Sequence, residues 1–419
     1  MGKNILIIQS YNVNKGDNSV ISVMLSTLKE SMLNISLTAF DPEKAKRDHH
    51  VDAYDYLFSF RDMKLAKNKL LFIVAGIKAV GWFFYSLLVL LFLKIGITLP
   101  LNKEKKAVIE SYRKADVVVI PGGHFFTSFN SLINNFSHYY ALRFAQILGK
   151  KTMVYSQTIG PFYDNFSGRI ERRMGIRVLS KSDIVTVREE DSLKCYSGSN
   201  VRMTAETVFL EPVEKREVNI SQYINNSDSS LIIGCTIHHI YFKHFFSKVD
   251  YVSKMVDIFN SILSECDCHL LIIPMEDNIK AGGDRPIIKE MMGLVEKKER
   301  IHMVTDDLDS MDTANIISKT DLFIGTKTHS IVYGLKTSTP TISISYQQKS
   351  TEFMKMFDME RYAIPLKDLN TNTFMSIFRN VLKDRDVIKT HLTVKYPEIQ
   401  RAAEENNKLL LELADDRQN

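Results

Sequence analysis

Asp321-Leu322-Phe323-Ile324-Gly325-Thr326-Lys327-Thr328-His329-Ser330 is the stretch from which the rest of the chain can be read. Asp321 to Ile324 has the apolar continuity of a buried strand, and a polar turn follows. Ser330 to Leu335 carries a helical pattern, and Thr341 to Tyr346 reads as a second strand. A strand, a helix and a strand in this order form a parallel crossover unit. The spacing therefore puts Lys327, His329 and Ser330 where a strand ends and a helix begins, with Lys349 just past the second strand. Unpaired amides and the helix dipole favour an anion at such a place. In open α/β sheets ligands also bind at the carboxyl ends of strands.

The same alternation runs outward in both directions. Ile5 to Gln9 is a strand, Asp17 to Leu28 a helix that Asp17 or Asn18 could cap, and Ser36 to Phe40 another strand. Val117 to Ile120, Thr152 to Ser156 and Ile184 to Val187 continue the series. In the second half Leu231 to Gly234, His269 to Pro274 and Ile301 to Val304 are strand-like, with helical patterns at Val252 to Leu263, Pro286 to Glu296, Thr313 to Ser318 and Ile331 to Thr337. Apolar strands alternating with helices predict an α/β protein with parallel sheets. The expected division is an N-terminal Rossmann-like domain over 1–210, a polar linker over 211–230, a C-terminal Rossmann-like domain over 231–395, and a final helix over 396–419.

A hydrophobic insert, at about 64–106, interrupts the first domain. From Leu70 to Ile97 the only charges are Lys78 and Lys94. About 20 apolar residues can span a bilayer, so length alone permits a crossing. Topology opposes one, because Ile5–Gln9 and Val117–Ile120 belong to one sheet and must lie on one side of any membrane. Basic residues flank the insert: Arg61, Lys64, Lys67 and Lys69 before it, Lys94, Lys103, Lys105 and Lys106 after it. They agree with two cytoplasmic ends. A monotopic helix or a re-entrant hairpin is expected, with Trp82 to Tyr85 as an interfacial bend. A buried core helix or a contact in a homo-oligomer is the alternative.

Composition narrows the function classes. The chain of 419 residues is long enough for two domains, and its 45% hydrophobic and 25% charged content is ordinary for a globular protein. A net charge of +5, from 54 basic and 49 acidic residues, is too small to argue for a nucleic-acid partner. Cys195, Cys235, Cys266 and Cys268 make no disulfide framework, and Cys266-x-Cys268 lacks a second ligand pair at zinc spacing. No metal site is expected.

Three further strand-end loops carry polar chemistry. Asn14, Gly16 and Asp17 link the first strand to its helix, where glycine lets a ligand approach the backbone. Pro121-Gly122-Gly123-His124 ends a second strand, with room for a positive φ at the glycines and a proton-exchanging imidazole at His124. Ser156 to Pro161 offers hydroxyl and amide groups. Arg188, at the end of Ile184 to Val187, offers a planar fork to a carboxylate or phosphate, or a salt bridge to Glu189 or Glu190. His238 and His239 follow another strand.

In order and spacing these blocks resemble the polysaccharide pyruvyl transferase family. The stretches that carry the resemblance are Asn14-Lys15-Gly16-Asp17, Val118 to Gly123, Gln157 to Phe162, Ser182 to Glu189 with Ser192, Asp321 to Ser330, Thr339-Pro340 and Tyr346 to Lys349. The resemblance implies a GT-B-like pair of Rossmann-like domains and transfer of pyruvate from phosphoenolpyruvate, a co-substrate in place of any cofactor, to two hydroxyls of one sugar. The acceptor is then a surface glycan or its lipid-linked precursor, met at the cytoplasmic membrane surface. It also implies that an Arg-x-His block grips the donor. Here His329 keeps its place and the arginine position holds Lys327, which retains the charge and loses the bidentate fork. By the same resemblance Arg188, Lys327, His329, Ser330 and Lys349 bind donor, Lys327 and His329 act in catalysis, and Asn14, Gly16, Asp17, Gly122, Gly123 and His124 line the acceptor side. At Thr204-Ala205-Glu206-Thr207, family members often have Asp-Pro.

Two rival functions use the same residues. A GT-B-like glycosyltransferase would place a nucleotide sugar on the strand-end anion sites. A non-catalytic subunit would use the insert to gather glycan enzymes at the membrane.

Overall fold

A computed structural model describes all residues except 1, 13–14, 29–32, 65, 130, 212–217, 225–229, 239–245, 277–282, 307, 347 and 416–419. The chain forms two compact units, Met1–Glu211 with Gln400–Asn419, and Pro212–Ile399.

The first unit contains β1 (Lys3–Ser10), β2 (Leu33–Ala39), β3 (Asp52–Tyr54), β4 (Val117–Ile120), β5 (Gly123–Phe126), β6 (Lys151–Ile159), β7 (Ile184–Val187) and β8 (Val201–Met203). Among the described residues they make one sheet in the order β3-β2-β1-β4-β6-β7-β8, with β5 also beside β6. Ile5 pairs with Val117, which sets β1 parallel to β4. Side chains alternate between the two faces of a strand, and the core follows that rule. Leu6, Ile8, Val118 and Ile120 join one apolar cluster. Ile5, Ile7, Val117 and Val119 join another, with Ile21, Met24 and Leu25 of helix Lys15–Leu28 and Leu410 and Leu413 of the C-terminal helix. Helices therefore cover both faces.

The second unit repeats the pattern with β9 (Leu231–Cys235), β10 (Cys268–Ile272), β11 (Ile301–Met303), β12 (Leu322–Gly325), β13 (Thr341–Ser345) and β14 (Ala363–Pro365). Their order is β11-β10-β9-β12-β13-β14. Phe323 lies between Gly234 on β9 and Thr341 on β13, so Leu322–Gly325 is a central strand.

Several expectations change. Gly123 and His124 do not simply follow a strand end: they begin β5, which pairs with β6 through Gly123 and Gln157. Asp17 and Asn18 lie inside helix Lys15–Leu28, and the Asn18 amide oxygen meets His49 Nε2 at 2.9 Å in place of capping. The final helix begins at Arg385, not near Tyr396, and runs to Asp415 through Pro397.

The insert is a single helix, Lys69–Lys94, capped by Asn68, whose side chain accepts from Leu71 N. No bend interrupts it at Trp82 to Tyr85, which removes the hairpin. Aromatic packing explains the continuity: the Phe83 ring lies 5.8 Å from Phe58, 5.4 Å from Phe136 and 5.0 Å from Tyr140. These contacts hold the helix against the first unit's own core.

Candidate functional site

The carboxyl edge of the second sheet gathers the predicted Lys327 and His329 on helix Thr328–Lys336 and the turn before it. The turn is fixed by hydroxyls. Thr236, just past β9, accepts from Thr326 N at 3.0 Å, while Thr326 Oγ1 donates to Thr236 O at 2.9 Å. Ser330 is buried. Its hydroxyl accepts from Lys327 N at 3.3 Å, donates to Lys327 O at 2.7 Å and lies 2.9 Å from Thr236 Oγ1. That is a helix cap, so Ser330 positions Lys327 and has no hydroxyl hydrogen left for a ligand.

Lys327 is 6% exposed, and its ammonium is held by carboxylates. Nζ donates to Asp284 Oδ2 at 2.7 Å and lies 3.1 Å from Glu276 Oε1. Asp284 is wholly buried, and the same oxygen accepts from Met275 N and Glu276 N, both at 3.0 Å. Glu276 differs, with 41% of its side chain exposed. Sequence reading missed both acids. Their signal is the polar loop between β10 and helix Arg285–Leu294, which ends in Gly283, in a positive φ of 62°, then Asp284.

His329 sits half-buried in the first helical turn. Thr328 Oγ1 is 3.1 Å from Ser350 Oγ. Burial pushes the Tyr346 phenol up; a hydrogen bond with Thr328 opposes that shift and Glu276 adds to it, so Tyr346 is a protonated hydroxyl at neutral pH. The His238 ring lies 5.3 Å from Tyr346. The Lys349 ammonium stands 5.3 Å over the Phe353 ring, one turn along its own helix. The expectation for His239 falls outside the described residues.

At the carboxyl edge of the first sheet the central residue is Arg188, 1% exposed. Its Nη1 donates to Glu206, Nη2 to Gly123 O at 2.7 Å and Thr158 Oγ1 at 2.9 Å, and Nε to Thr158 Oγ1 at 3.1 Å. Glu189 Oε2 lies 3.5 Å from Nε. As placed, the guanidinium ties the start of β5, the end of β6 and the segment after β8 together and faces these protein partners. Glu206, the departure from the family's Asp-Pro, is the acid it pairs with. Asn406 of the C-terminal helix holds that loop, donating to Ala205 O at 3.0 Å and accepting from Thr204 at 2.9 Å and Thr186 at 2.6 Å.

The predicted acceptor residues are only partly described. Asn14 lies outside the described residues, and Gly16 and Asp17 are placed in the helix without a description of their side chains. Neither Gly122 nor Gly123 adopts a positive φ. The space at Gly122 is tight without excluding a side chain: a Cβ would stand 3.3 Å from Val20 Cγ1 and 3.4 Å from Ser156 O. His124 is exposed, and Phe125 beside it stacks on His138 at 4.1 Å. Gln9 and Ser10, at the end of β1, were not foreseen. Gln9 has φ 58°, its amide donates to Ser137 O at 3.2 Å, and both Gln9 Oε1 and Ser10 Oγ are buried without a hydrogen-bond partner among the described residues. Among the described residues no group of three or more His, Cys, Asp or Glu side chains could hold a metal ion.

The model of the polysaccharide pyruvyl transferase family matches residues 14–348, most of the chain and all of the strand-end loops above. The chain belongs to that family. It is 20% identical over 301 residues to the amylovoran biosynthesis protein AmsJ of Erwinia amylovora, covering 67% of this chain and 68% of that one. Solved structures of similar fold include the UDP-GlcNAc 2-epimerase of Neisseria meningitidis bound to UDP-GlcNAc, at TM-score 0.62 and 12% identity, covering 98% of this chain and 100% of that one. A glycosyltransferase from Rickettsia africae follows at TM-score 0.58 and 11% identity, with 99% and 100% covered. At such identity the likeness concerns the fold, which is GT-B-like: two Rossmann-like domains, the first carrying an apolar helix. The family member is a transferase of polysaccharide biosynthesis.

Proposed function

We propose that this transferase moves pyruvate from phosphoenolpyruvate onto two hydroxyls of one sugar, giving a cyclic ketal and free phosphate. The observation that carries the reading is the Lys327-x-His329 pair at a helix N-terminus inside the span that matches the family. On this reading His329 protonates the methylene carbon of the enol, which makes C2 electrophilic. A sugar hydroxyl attacks C2 and loses its proton. The C2–O bond to phosphate then breaks, phosphate departs, and the second hydroxyl closes the ring with loss of its proton.

Lys327 Nζ already faces two carboxylates, so a donor anion takes over its charge when one of them gives way. Asp284 is buried and fixed by two amides, whereas 41% of the Glu276 side chain is exposed. We assign Glu276 as the ion that the donor displaces, with Asp284 remaining to orient the ammonium. Lys349 and the helix amides join the donor side, and His124 with Gly122 and Gly123 borders the acceptor. Arg188 is a positioning residue that keeps Gly123, Thr158 and Glu206 in place. The acceptor on this reading is a nascent or lipid-linked surface glycan at the cytoplasmic face of the cell membrane.

Lys327 in place of arginine favours one rival, a glycosyltransferase with a nucleotide-sugar donor. Calorimetric titration of the full chain with phosphoenolpyruvate and with UDP- and GDP-sugars separates them. The Lys327→Met, Asp284→Asn double variant is the control, since it removes the ammonium without leaving a buried carboxylate alone. Phosphoenolpyruvate should bind the native chain and not the double variant. Binding of a nucleotide sugar alone would overturn the assignment, and binding of neither would favour a non-catalytic subunit.

A further inference from the structure

We infer that the insert helix lies in the plane of an anionic bilayer, held by the face it turns away from the protein. Two opposite faces of this helix have different partners. Inward, Trp82 donates from its indole to Leu57 O at 2.6 Å, Ser86 Oγ lies 2.6 Å from Tyr140 OH, and Val89 and Leu90 are buried in the first unit's core. Outward, Leu70, Ile73, Ile77, Val80, Phe84, Leu88, Leu91 and the capping Ile95 recur at intervals of three and four residues. Each is between 47% and 70% exposed.

At about 100° per residue these eight side chains share a sector of roughly 80°, and at 1.5 Å per residue the stripe is about 38 Å long. No charged or polar side chain falls within it. Lys78 projects on one side of the stripe and Lys69 and Lys94 on the other, where long stems let ammonium groups reach an interface while the apolar row sinks below it. An apolar stripe of this length on a folded protein marks a contact surface.

Charge decides what covers it. Between Asp62 and Glu104 there is no acidic residue, while Lys64, Lys67, Lys69, Lys78, Lys94 and Lys103 lie in that interval. A second copy docked on the stripe would bring lysines against lysines with no carboxylate between them. Anionic headgroups supply the missing charge. A crossing is excluded by the inward contacts and by the sheet: β3 precedes the helix, β4 follows it, and both belong to one sheet. The inference rests on the lipid-linked acceptor only for its purpose, since docking at the bilayer concentrates such a substrate beside the site. Its geometry is independent of the donor.

The test is flotation of the full chain with vesicles of phosphatidylcholine alone and of phosphatidylcholine with phosphatidylglycerol. The comparison protein carries Ile77→Asp, Phe84→Asp and Leu88→Asp, all outside the protein core. The native chain should float with anionic vesicles and lose most of that binding in high salt. The triple variant should bind about tenfold more weakly or worse, with an unchanged melting transition and unchanged phosphoenolpyruvate binding. Equal flotation of both proteins, or none by the native chain, overturns the inference. A native dimer that the triple variant breaks, with no vesicle binding, shows that a second copy covers the stripe. Protection of one flank from protease in sealed vesicles shows a crossing. Loss of phosphoenolpyruvate binding with intact flotation would defeat the proposed donor and leave the membrane face standing.

Discussion

Arg188 and Lys327 are each a buried cation just past the carboxyl end of a strand, β7 next to the edge of the first sheet and β12 inside the second. Their partners differ. Arg188 is enclosed by Glu206, Glu189, Thr158 and the Gly123 carbonyl, and both acids are at most 5% exposed. Lys327 has one sealed acid, Asp284, and one acid open to solvent, Glu276. A cation sealed on all sides holds loops together. A cation with one replaceable counter-ion can exchange it for a ligand, so the exposure of the second carboxylate separates the two roles.

The largest effect should come from Arg188→Ala. It leaves Glu206 and Glu189 buried without their cation and should cost roughly 3–5 kcal/mol of stability, read as a lower denaturation midpoint. A variant that stays equally stable and loses only donor binding would return Arg188 to the ligand site. Lys327→Met should cost about 2–4 kcal/mol by stranding Asp284, and adding Asp284→Asn should restore most of it. Additive losses in the double variant would show that the pair is not a unit. Lys327→Arg should instead tighten phosphoenolpyruvate binding, because the fork can bridge Asp284 and a phosphate oxygen.

Glu276→Gln should leave stability within about 1 kcal/mol, as expected for a solvent-exposed partner, and should tighten phosphoenolpyruvate binding about three- to tenfold. Weaker binding would mean that Glu276 helps the donor in place of competing with it. The smallest effect concerns a cluster of two imidazoles and a guanidinium, with Asp267 Oδ1 3.3 Å from Arg300 Nη1. His269 Nδ1 lies 3.0 Å from His302 Nε2, and Arg300 Nη1 lies 3.1 Å from His269 Nε2. Burial, then His269 and Arg300, hold His302 below its usual pKa of 6.5. The folded state therefore prefers neutral His302; its contribution is present above that pKa and declines as pH falls through the acid range. His302→Gln should flatten that decline in a pH series of melting transitions.

Most of the sheet was legible because central parallel strands are buried on both faces and read as unbroken apolar runs. Val117–Ile120, Ile184–Val187 and Leu322–Gly325 have that form. β3 and β14 have three residues each and lie at sheet edges, too short for a pattern to show. Lys327 and His329 were legible as a cation and an imidazole at a strand-to-helix turn. Asp284 was not, because its meeting with Lys327 spans 43 residues and depends on how the loop after β10 closes. Glu206 was noticed as a departure from a pattern, and only the fold shows that Arg188 is what it faces. The insert's length was plain, but its division into an inward and an outward face needed the positions of Phe58 and Tyr140.

The most direct measurement is carbon-13 NMR of a reaction containing phosphoenolpyruvate labelled at C2, the full-length protein and a lipid-linked glycan acceptor. Pyruvyl transfer predicts a ketal carbon attached to the glycan and one phosphate released per pyruvate transferred. Unchanged phosphoenolpyruvate, together with nucleotide release when a UDP- or GDP-sugar replaces it, would contradict it.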